Sequence, residues 1–193
     1  MKIAALTGDA LEAALPAVAD LRIRVFREWP YLYDGDVTYE ARYLNAYRDN
    51  PRSILVGAFD GDTLVGASTG TPLADHSNEF AEAFSGSDLD VDKFFYCAES
   101  VLLPGYRGLG IGHQFFDLRE AHARRCGFTA CCFCAVIRPN DHPQNPQSYR
   151  PLDPFWRRRG YLPLEGVIAE FSWKDLEEPR ESLKPLQVWG RFF

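Results

Sequence analysis

A glycine-rich turn near the middle of the chain constrains its fold more than any other feature. The sequence there runs Glu99-Ser-Val-Leu-Leu-Pro-Gly-Tyr-Arg107-Gly-Leu-Gly-Ile-Gly112-His. The apolar residues before the turn predict a strand over 94–103, and apolar residues at helical spacing after it predict a helix over 110–126. The glycines at 108, 110 and 112 allow backbone N–H groups to converge at the positive end of that helix. With Arg107 beside them, these groups predict a binding site for an anion such as pyrophosphate.

Two common phosphate-binding motifs do not fit this turn. A Walker A loop requires a lysine and a hydroxyl residue after its second glycine, but Ile111 and Gly112 follow Gly110. A dinucleotide fingerprint requires a glycine where His113 stands and an acid about 20 residues further on, where the sequence has Cys132. The pattern that remains is Gln/Arg-x-x-Gly-x-Gly/Ala. A turn that only links strand to helix is the alternative.

The remaining segments predict a mixed α/β protein. Strands are predicted at 2–6, 53–59, 63–72, 94–103, 129–136, 165–173 and 186–191, and helices at 10–29, 38–47, 78–84, 110–126 and 153–159. Asp60-Gly61-Asp62 predicts a hairpin between the second and third strands. No charge block or low-complexity stretch divides the 193 residues, so we predict one domain.

The order of these elements and the glycine turn resemble the GNAT superfamily of acyl-CoA-dependent N-acetyltransferases along almost the full chain. The resemblance implies an α/β (α+β) fold, a single GNAT domain over 1–193 with a mixed, mostly antiparallel central sheet of about seven strands and helices on both faces. It also implies transfer of an acetyl group to a primary amine of a small molecule or peptide, by direct attack in a ternary complex. A catalytically silent acyl-CoA-binding or sensor module is the alternative, since the family's tyrosine would fall at Trp156.

The resemblance further assigns residues to acetyl-CoA as the co-substrate. The diphosphate would lie on the loop 107–113, and the pantetheine arm along backbone groups of Leu102 and Leu103, where a main-chain N–H would polarise the acetyl carbonyl. Asn140 follows the next strand, where a polar side chain often contacts coenzyme A in this family. The expected coenzyme-binding residues are Leu102, Leu103, Arg107, Gly108, Leu109, Gly110, Ile111, Gly112, His113 and Asn140.

Glu99 is the candidate general base, because it stands in an apolar strand where an unpaired carboxylate would be costly. Burial would make this carboxylate more basic and able to accept a proton, directly or through water. A structural carboxylate paired with an arginine or a backbone amide is the alternative. Tyr149 and Tyr161 are candidates for the general acid, and the sequence does not decide between them. The thiolate could also leave without protonation by the protein.

Aromatic residues between the first two helices predict part of the acceptor site. Trp29, Tyr31 and Tyr33 stand in Trp29-Pro-Tyr-Leu-Tyr-Asp-Gly-Asp36. The resemblance places the acceptor pocket in this region, and aromatic faces beside acids suit an organic cation. Packing at helix ends is the alternative. The loop 138–151 is either a cover over the acceptor or a surface excursion.

Composition excludes several classes of partner and cofactor. The net charge of −6 argues against binding to nucleic acid. No apolar run is long enough to cross a bilayer and no export signal is visible, so we expect a cytoplasmic protein without a membrane partner; a homodimer is left open. The odd number of cysteines predicts free thiols. Cys131 and Cys134 face opposite sides of a strand, so neither they nor the histidines predict a metal site.

One further motif, Gly66-Ala-Ser68-Thr-Gly70, matches the nucleophile elbow of serine hydrolases. An elbow requires a helix directly after the serine, whereas Thr71-Pro72 keeps this segment extended. We therefore interpret the motif as a chance match inside a strand.

Overall fold

The computed structural model of the chain describes residues 1–76 and 78–193. Its strands are β1 (Lys2–Leu6), β2 (Ile54–Asp60), β3 (Thr63–Pro72), β4 (Phe94–Tyr96), β5 (Ser100–Leu102), β6 (Ala130–Val136), β7 (Leu162–Trp173) and β8 (Ser182–Phe192). Its helices are α1 (Gly8–Phe26), α2 (Val37–Asp49), α3 (Asn78–Phe84), α4 (Ile111–Arg125) and α5 (Asp153–Arg158). None of the helices in these two ranges has both the length and the apolar character that crossing a membrane requires.

The strands form one sheet in the order β1-β2-β3-β4-β6-β8-β7, with β5 also paired to β3. The pair β4–β6 is parallel and the other pairs are antiparallel. The prediction of a mixed, mostly antiparallel sheet is therefore confirmed. The sheet has eight strands where about seven were predicted, because the segment 94–103 is divided into two short strands.

This division opens a cleft in the sheet. Phe94–Tyr96 pairs with the first residues of β6, and the Cys97 N–H donates to the Cys132 carbonyl at 2.8 Å. In the described sheet, β5 then pairs with β3 alone. Residues 97–99 are the point of divergence, so β5 and β6 separate beyond them and leave a gap that neither strand closes.

Helices cover both faces of the sheet, as predicted. Successive side chains of a strand point to opposite faces. Leu55 accordingly packs with the buried side chains of α1 and α2, whereas its neighbours Ile54 and Val56 pack with Phe115 of α4. The cleft therefore lies between α4 on one face and the helices α1 and α2 on the other.

Three elements, α1, β7 and β8, have boundaries that differ from the prediction. Helix α1 ends at Phe26 instead of residue 29, because Pro30 disfavours a helical conformation at the residue before it; the chain turns and the Tyr33 N–H donates to the Phe26 carbonyl at 2.8 Å. Strands β7 and β8 extend beyond 165–173 and 186–191. Strand β7 lies at the edge of the sheet, where Pro163 is tolerated without a lost ladder hydrogen bond.

The cysteines and the serine motif behave as predicted. All five cysteines are free, and Cys131 and Cys134 belong to core clusters on opposite faces of the sheet. Ser68 is fully buried in the middle of β3, which continues to Pro72 without a helix. This geometry excludes an exposed nucleophile at Ser68.

Candidate active site

The glycine turn requires glycine at two positions. Gly108 and Gly110 have φ values of +78° and +79°, in the left-handed region, and Gly110 is the N-cap of α4. An L-residue pays roughly 1–2 kcal/mol for that conformation. Gly112 is different, because a Cβ there would only meet the Phe155 ring at 3.6 Å, an ordinary contact. The backbone conformation therefore depends on the first two glycines.

The backbone N–H groups of residues 108–112 have no hydrogen-bond acceptor within the part of the chain that the structure describes. On either side of this run, the Arg107 N–H donates to the Pro104 carbonyl and the His113 N–H to the Gly110 carbonyl, both at 3.1 Å. Residues 107–110 are exposed. The turn thus presents consecutive free donors to solvent at a helix N-terminus, an arrangement that suits an anion.

The cation beside this turn is already engaged. Arg107 donates through Nε to the Leu102 carbonyl at 3.1 Å, and its Nη2 lies 2.9 Å from Oε2 of Glu28. Both side chains of the ion pair are close to half exposed. The His113 ring packs edge-on against Phe155 at 4.8 Å and contacts Nη1 of Arg159 at 3.3 Å. Arg107 is therefore held beside β5, and Glu28 offsets part of its charge.

One edge of the β5 backbone faces the cleft, where Arg107 occupies the Leu102 carbonyl. The Leu103 N–H donates to the Val65 carbonyl at 3.0 Å and the Thr69 N–H to the Glu99 carbonyl at 3.2 Å. Hydrogen bonds of an antiparallel pair alternate along each strand, so the Leu102 N–H points away from β3 and into the cleft. Of the two leucines expected along the coenzyme, only Leu102 has its N–H on that side.

Glu99 lies at the divergence of β4 and β5 and is 4% exposed. Its Oε2 is 2.7 Å from Nη1 of Arg22 and accepts a hydrogen bond from the Tyr43 hydroxyl at 3.1 Å. Its Oε1 is buried without a partner among the described residues. Arg22 also forms a close ion pair with Glu40, so two buried carboxylates share one guanidinium. Glu99 thus has the arginine partner expected of a structural carboxylate, while its Oε1 is left for the general-base role that the sequence also allows.

The protonation of this cluster follows from its neighbours. Burial acts to lower the pKa of Arg22, but the surrounding acids, Glu99 first, raise it by more, so the guanidinium stays charged. Burial and the charge of Glu99 raise the pKa of the Tyr43 hydroxyl well above its usual value. Tyr43 consequently remains a hydrogen-bond donor to Glu99 at neutral pH.

A cavity of about 130 Å³ adjoins Glu99 on the face of the sheet that carries α1 and α2. Its walls are mainly aromatic, and Cys134 of β6 and Ala98 form the floor with Glu99. The tyrosine and tryptophan side chains in this lining are Tyr31, Tyr33, Tyr39, Tyr43, Tyr96 and Trp173. Two of the three predicted acceptor residues, Tyr31 and Tyr33, therefore line a cavity beside the predicted base.

Trp29, the third predicted acceptor residue, lies outside this lining. Its ring packs on His142 at 5.0 Å and edge-on against Tyr149 at 6.1 Å. The loop 138–151 thus lies against the segment between α1 and α2. Asn140, in the same loop, is exposed, and its carbonyl accepts a hydrogen bond from Nδ2 of Asn145 at 3.2 Å.

The two candidate acids lie in different environments. Tyr161 is fully buried in the core on the α4 side, and its hydroxyl donates to Oε1 of Glu120 at 3.1 Å. Burial raises the pKa of Tyr161 well above its usual value. Tyr149 is half-buried beside Trp29, and burial raises its pKa as well. Trp156, at the family's tyrosine position, packs against Phe133 and Trp189 at 4.9 and 5.1 Å.

Sequence reasoning missed Arg22 and Arg138. Arg22 interrupts the apolar stripe of α1, one helical turn after Val18, and that interruption was the available signal. Arg138 donates to the carbonyls of Pro30 and Tyr31 at 2.9 and 2.7 Å, and both of its terminal nitrogens contact Asp175. No sequence signal links Arg138 to the segment it holds.

No group of three or more His, Cys, Asp or Glu side chains is arranged to hold a metal ion within residues 1–76 and 78–193. The candidate site consists instead of an anion-binding turn on one side of the sheet, a cleft beside β5, and an acid-containing aromatic cavity on the other side.

Solved structures with the same fold carry acetyltransferase names. A ribosomal-protein-alanine N-acetyltransferase from Brucella melitensis aligns over 100% of both chains with 14% identity and a TM-score of 0.62. An aminoglycoside 6'-N-acetyltransferase from Enterococcus faecium aligns over 100% of this chain and 97% of that chain, with 16% identity and a TM-score of 0.62. A third, an aminoglycoside 6'-N-acetyltransferase complexed with coenzyme A, has the same identity and coverage and a TM-score of 0.59.

At these identities the structural likeness concerns the fold alone. No curated protein sequence shows a significant match. The sequence does match the model of the acetyltransferase (GNAT) family over residues 16–145, about two thirds of the chain. The matched range includes the glycine turn, the cleft and Glu99, and with this match the chain belongs to the GNAT family of acetyltransferases.

Proposed function

We propose that the protein is an acetyl-CoA-dependent N-acetyltransferase that acetylates a primary amine by direct attack in a ternary complex. The observation that carries this proposal is the run of unpaired N–H groups at 108–112, next to a sheet cleft that leads to the buried carboxylate of Glu99. An anion site, a channel and a proton acceptor are the parts that such a transfer needs.

Acetyl-CoA would bind across the cleft. Its diphosphate fits the N–H groups of residues 108–112, with Arg107 as the nearby cation, and its pantetheine arm fits the open edge of β5. The Leu102 N–H would then donate to the acetyl carbonyl oxygen as negative charge develops there. The bound coenzyme A in a structural neighbour supports this choice of ligand.

Glu99 is the group we assign to proton transfer on the acceptor side. As the amine nitrogen forms its bond to the acetyl carbon and the carbon–sulfur bond breaks, the proton lost by nitrogen passes to the carboxylate of Glu99, directly or through water. The sulfur leaves as a thiolate or takes a proton from Tyr149, the candidate acid that packs against Trp29 in the segment between α1 and α2. Tyr161 is less suited to this role because its hydroxyl is buried in the core and donates its hydrogen bond to Glu120.

Ligand-induced stabilisation tests the coenzyme site. At 100 times its Kd, a ligand adds about 2.7 kcal/mol to the free energy of unfolding. For a chain of this size that corresponds to a rise in Tm of roughly 5–10 °C. We expect acetyl-CoA to produce such a rise and Gly110→Glu to abolish it. An unchanged Tm at millimolar acetyl-CoA would overturn the proposal.

A measurement of catalytic turnover distinguishes an enzyme from a silent acyl-CoA-binding module. The silent module is the second candidate because Trp156, at the position of the family's tyrosine, has no hydroxyl to donate a proton. Release of free thiol from acetyl-CoA should depend on an added amine, and the product should carry an acetyl group by mass spectrometry. Stabilisation by acetyl-CoA without amine-dependent thiol release across a broad panel of amines would assign the protein to the silent module.

A further inference from the structure

We infer that the acceptor is a small primary monoamine with a compact apolar body, such as one aromatic ring or a short alkyl chain. The inference rests on the proposed function and adds the chemical class of the acceptor. Three observations carry it: the charge balance of the cavity, the nature of its walls, and its size.

The charge balance favours one positive charge. Among the described residues that line the cavity, Glu99 is the one carboxylate and Arg22 the one guanidinium, with His76 as a further titratable ring. Glu40 lies behind Arg22 and shares it with Glu99, so the cluster contains one acid more than it has strong bases. A single ammonium group would balance this excess as it binds, and it would release one proton to solvent to become the neutral amine that attacks acetyl-CoA. A polyamine or an aminoglycoside would bring several ammonium groups. Each additional positive charge would lose its hydration without gaining a carboxylate partner, which is unfavourable for binding.

The same cluster disfavours an acceptor with a carboxylate, such as a free amino acid. Arg22 is the cation available in this lining, and it is already bound by Glu40 and Glu99. Its guanidinium also lies over the Tyr43 and Phe26 rings, 4.2 and 5.1 Å from their centroids. A substrate carboxylate would therefore have to displace an internal ion pair to find a partner.

The aromatic walls of the cavity suit the apolar body of such an amine. Tyr31 and Trp173 lie with their ring centroids 6.1 Å apart, and Tyr33, Tyr39 and Tyr96 add further aromatic surface. Burial raises the pKa values of Tyr31 and Tyr33, so their hydroxyls stay neutral and add no charge to the cavity. Aromatic faces bind both an organic cation and an apolar group, so the walls can hold the ammonium and the body of one small amine.

The cavity is open to solvent on one side, and its volume of about 130 Å³ admits roughly one ring of the acceptor beside Glu99. A cavity of about 150 Å³ holds a benzene molecule, whereas pockets for larger ligands measure about 300–1,000 Å³.

Hydrogen bonds between the segments that form the walls hold the cavity at this size. Arg138 and the Trp173 indole N–H both donate to the Tyr31 carbonyl, at 2.7 and 3.1 Å, and the Leu176 N–H donates to the Leu32 carbonyl at 2.8 Å. The aromatic wall is thus tied to β7 and to the end of β6, which opposes expansion for a bulky acceptor.

A comparison of acceptors tests the inference. We would measure kcat/KM for 2-phenylethylamine, spermidine, kanamycin, an alanyl peptide and phenylalanine at saturating acetyl-CoA. The value for 2-phenylethylamine should exceed each of the others at least tenfold. Phenylalanine is the matched probe, because it differs from 2-phenylethylamine by the carboxylate alone. A higher value for spermidine, kanamycin, the peptide or phenylalanine would overturn the inference.

Binding measurements separate this inference from the proposed function. Calorimetry with coenzyme A bound should show saturable binding of 2-phenylethylamine. Tyr31→Ala should raise KM for this amine at least tenfold with an unchanged Kd for acetyl-CoA, and Tyr31→Phe should restore most of the loss. If acetyl-CoA stabilises the protein while 2-phenylethylamine neither binds nor is acetylated, the acceptor class is wrong and the coenzyme site stands. If acetyl-CoA fails to bind, the proposed function itself fails.

Discussion

Arg22 of α1 and Glu99 of the interrupted strand form a buried ion pair, with Nη1 of the arginine 2.7 Å from Oε2 of the carboxylate. The pair joins a helix on one face of the sheet to the point where β4 and β5 diverge. Because Tyr43 of α2 donates to the same carboxylate oxygen, two helices fix one side of the Glu99 carboxylate, and Oε1 has no partner among residues 1–76 and 78–193. This asymmetry underlies the proton-acceptor role that we propose for Glu99.

Glu99→Gln should lower kcat for amine acetylation by roughly 10²–10⁴-fold, the range associated with the loss of one general base. Glu40→Gln is the matched variant, since it also removes a buried carboxylate from Arg22 but Glu40 does not line the cavity. We expect both variants to lose stability, on the order of 1–3 kcal/mol, and only Glu99→Gln to lose most of kcat. Steady-state kinetics with urea unfolding measures both effects. Equal losses of kcat in the two variants would reduce Glu99 to a structural role.

Gly110→Ala should weaken acetyl-CoA binding at least tenfold. Alanine at φ +79° is strained, and the turn would relax and move its N–H groups away from a bound diphosphate. Gly61→Ala is the matched control, because Gly61 has φ +59° and open space around its Cβ position but lies in the hairpin between β2 and β3. Both variants should lose about 1–2 kcal/mol of stability. Titration calorimetry should show weakened binding in Gly110→Ala alone; the same Kd in both would contradict a diphosphate site at this turn.

Glu28→Gln should tighten acetyl-CoA binding by a few-fold, and Arg107→Gln should weaken it. Glu28 lies 2.9 Å from Arg107 on the surface, so its removal frees the cation for a phosphate. Both effects should shrink as ionic strength rises, because the interacting groups are solvent-exposed. The measurement is Kd at low and at high salt for the two variants and the parent. A weaker Kd in Glu28→Gln would mean that the ion pair holds Arg107 in its binding position.

The glycine turn could be predicted from the sequence because Gly108 and Gly110 adopt positive φ values, a backbone conformation that strongly favours glycine. The fold class and the family followed from it. The division of 94–103 was not readable, since apolar residues stand on both sides of Glu99 and Ser100 and both halves pair with β3, whereas β4 alone also pairs with β6. The pairing of Glu99 was likewise left open, because its partners Arg22 and Tyr43 come from helices that only the tertiary packing brings to it.

Alkaline pH should destabilise the protein through its buried thiols and phenols. Burial raises the pKa of Cys134 from about 9 to about 12. Below pH 9 both the folded and the unfolded chain keep this proton, so its contribution to stability is constant; above pH 9 only the unfolded chain releases it. The free energy of unfolding then falls by up to about 1.4 kcal/mol per pH unit for each such group.

Cys134→Ala should therefore lose less stability than the parent between pH 9 and pH 10, as measured by urea unfolding. Cys126→Ala is the control for the substitution itself, because it removes an exposed thiol and leaves every buried thiol in place. Identical slopes in the parent and in Cys134→Ala would contradict the burial effect on this thiol.

Arg138→Lys should raise KM for the acceptor amine at least tenfold while Kd for acetyl-CoA stays the same. A lysine can replace the charge opposite Asp175 but cannot donate to the carbonyls of Pro30 and Tyr31 as well, because its ammonium is a single point. The aromatic wall that carries Tyr31 would then loosen, and the preference for 2-phenylethylamine over spermidine should narrow. Arg150→Lys in the same loop is the control, because Arg150 is exposed and its hydrogen bonds stay within that loop. An unchanged KM in Arg138→Lys would show that the wall keeps its position without this clamp.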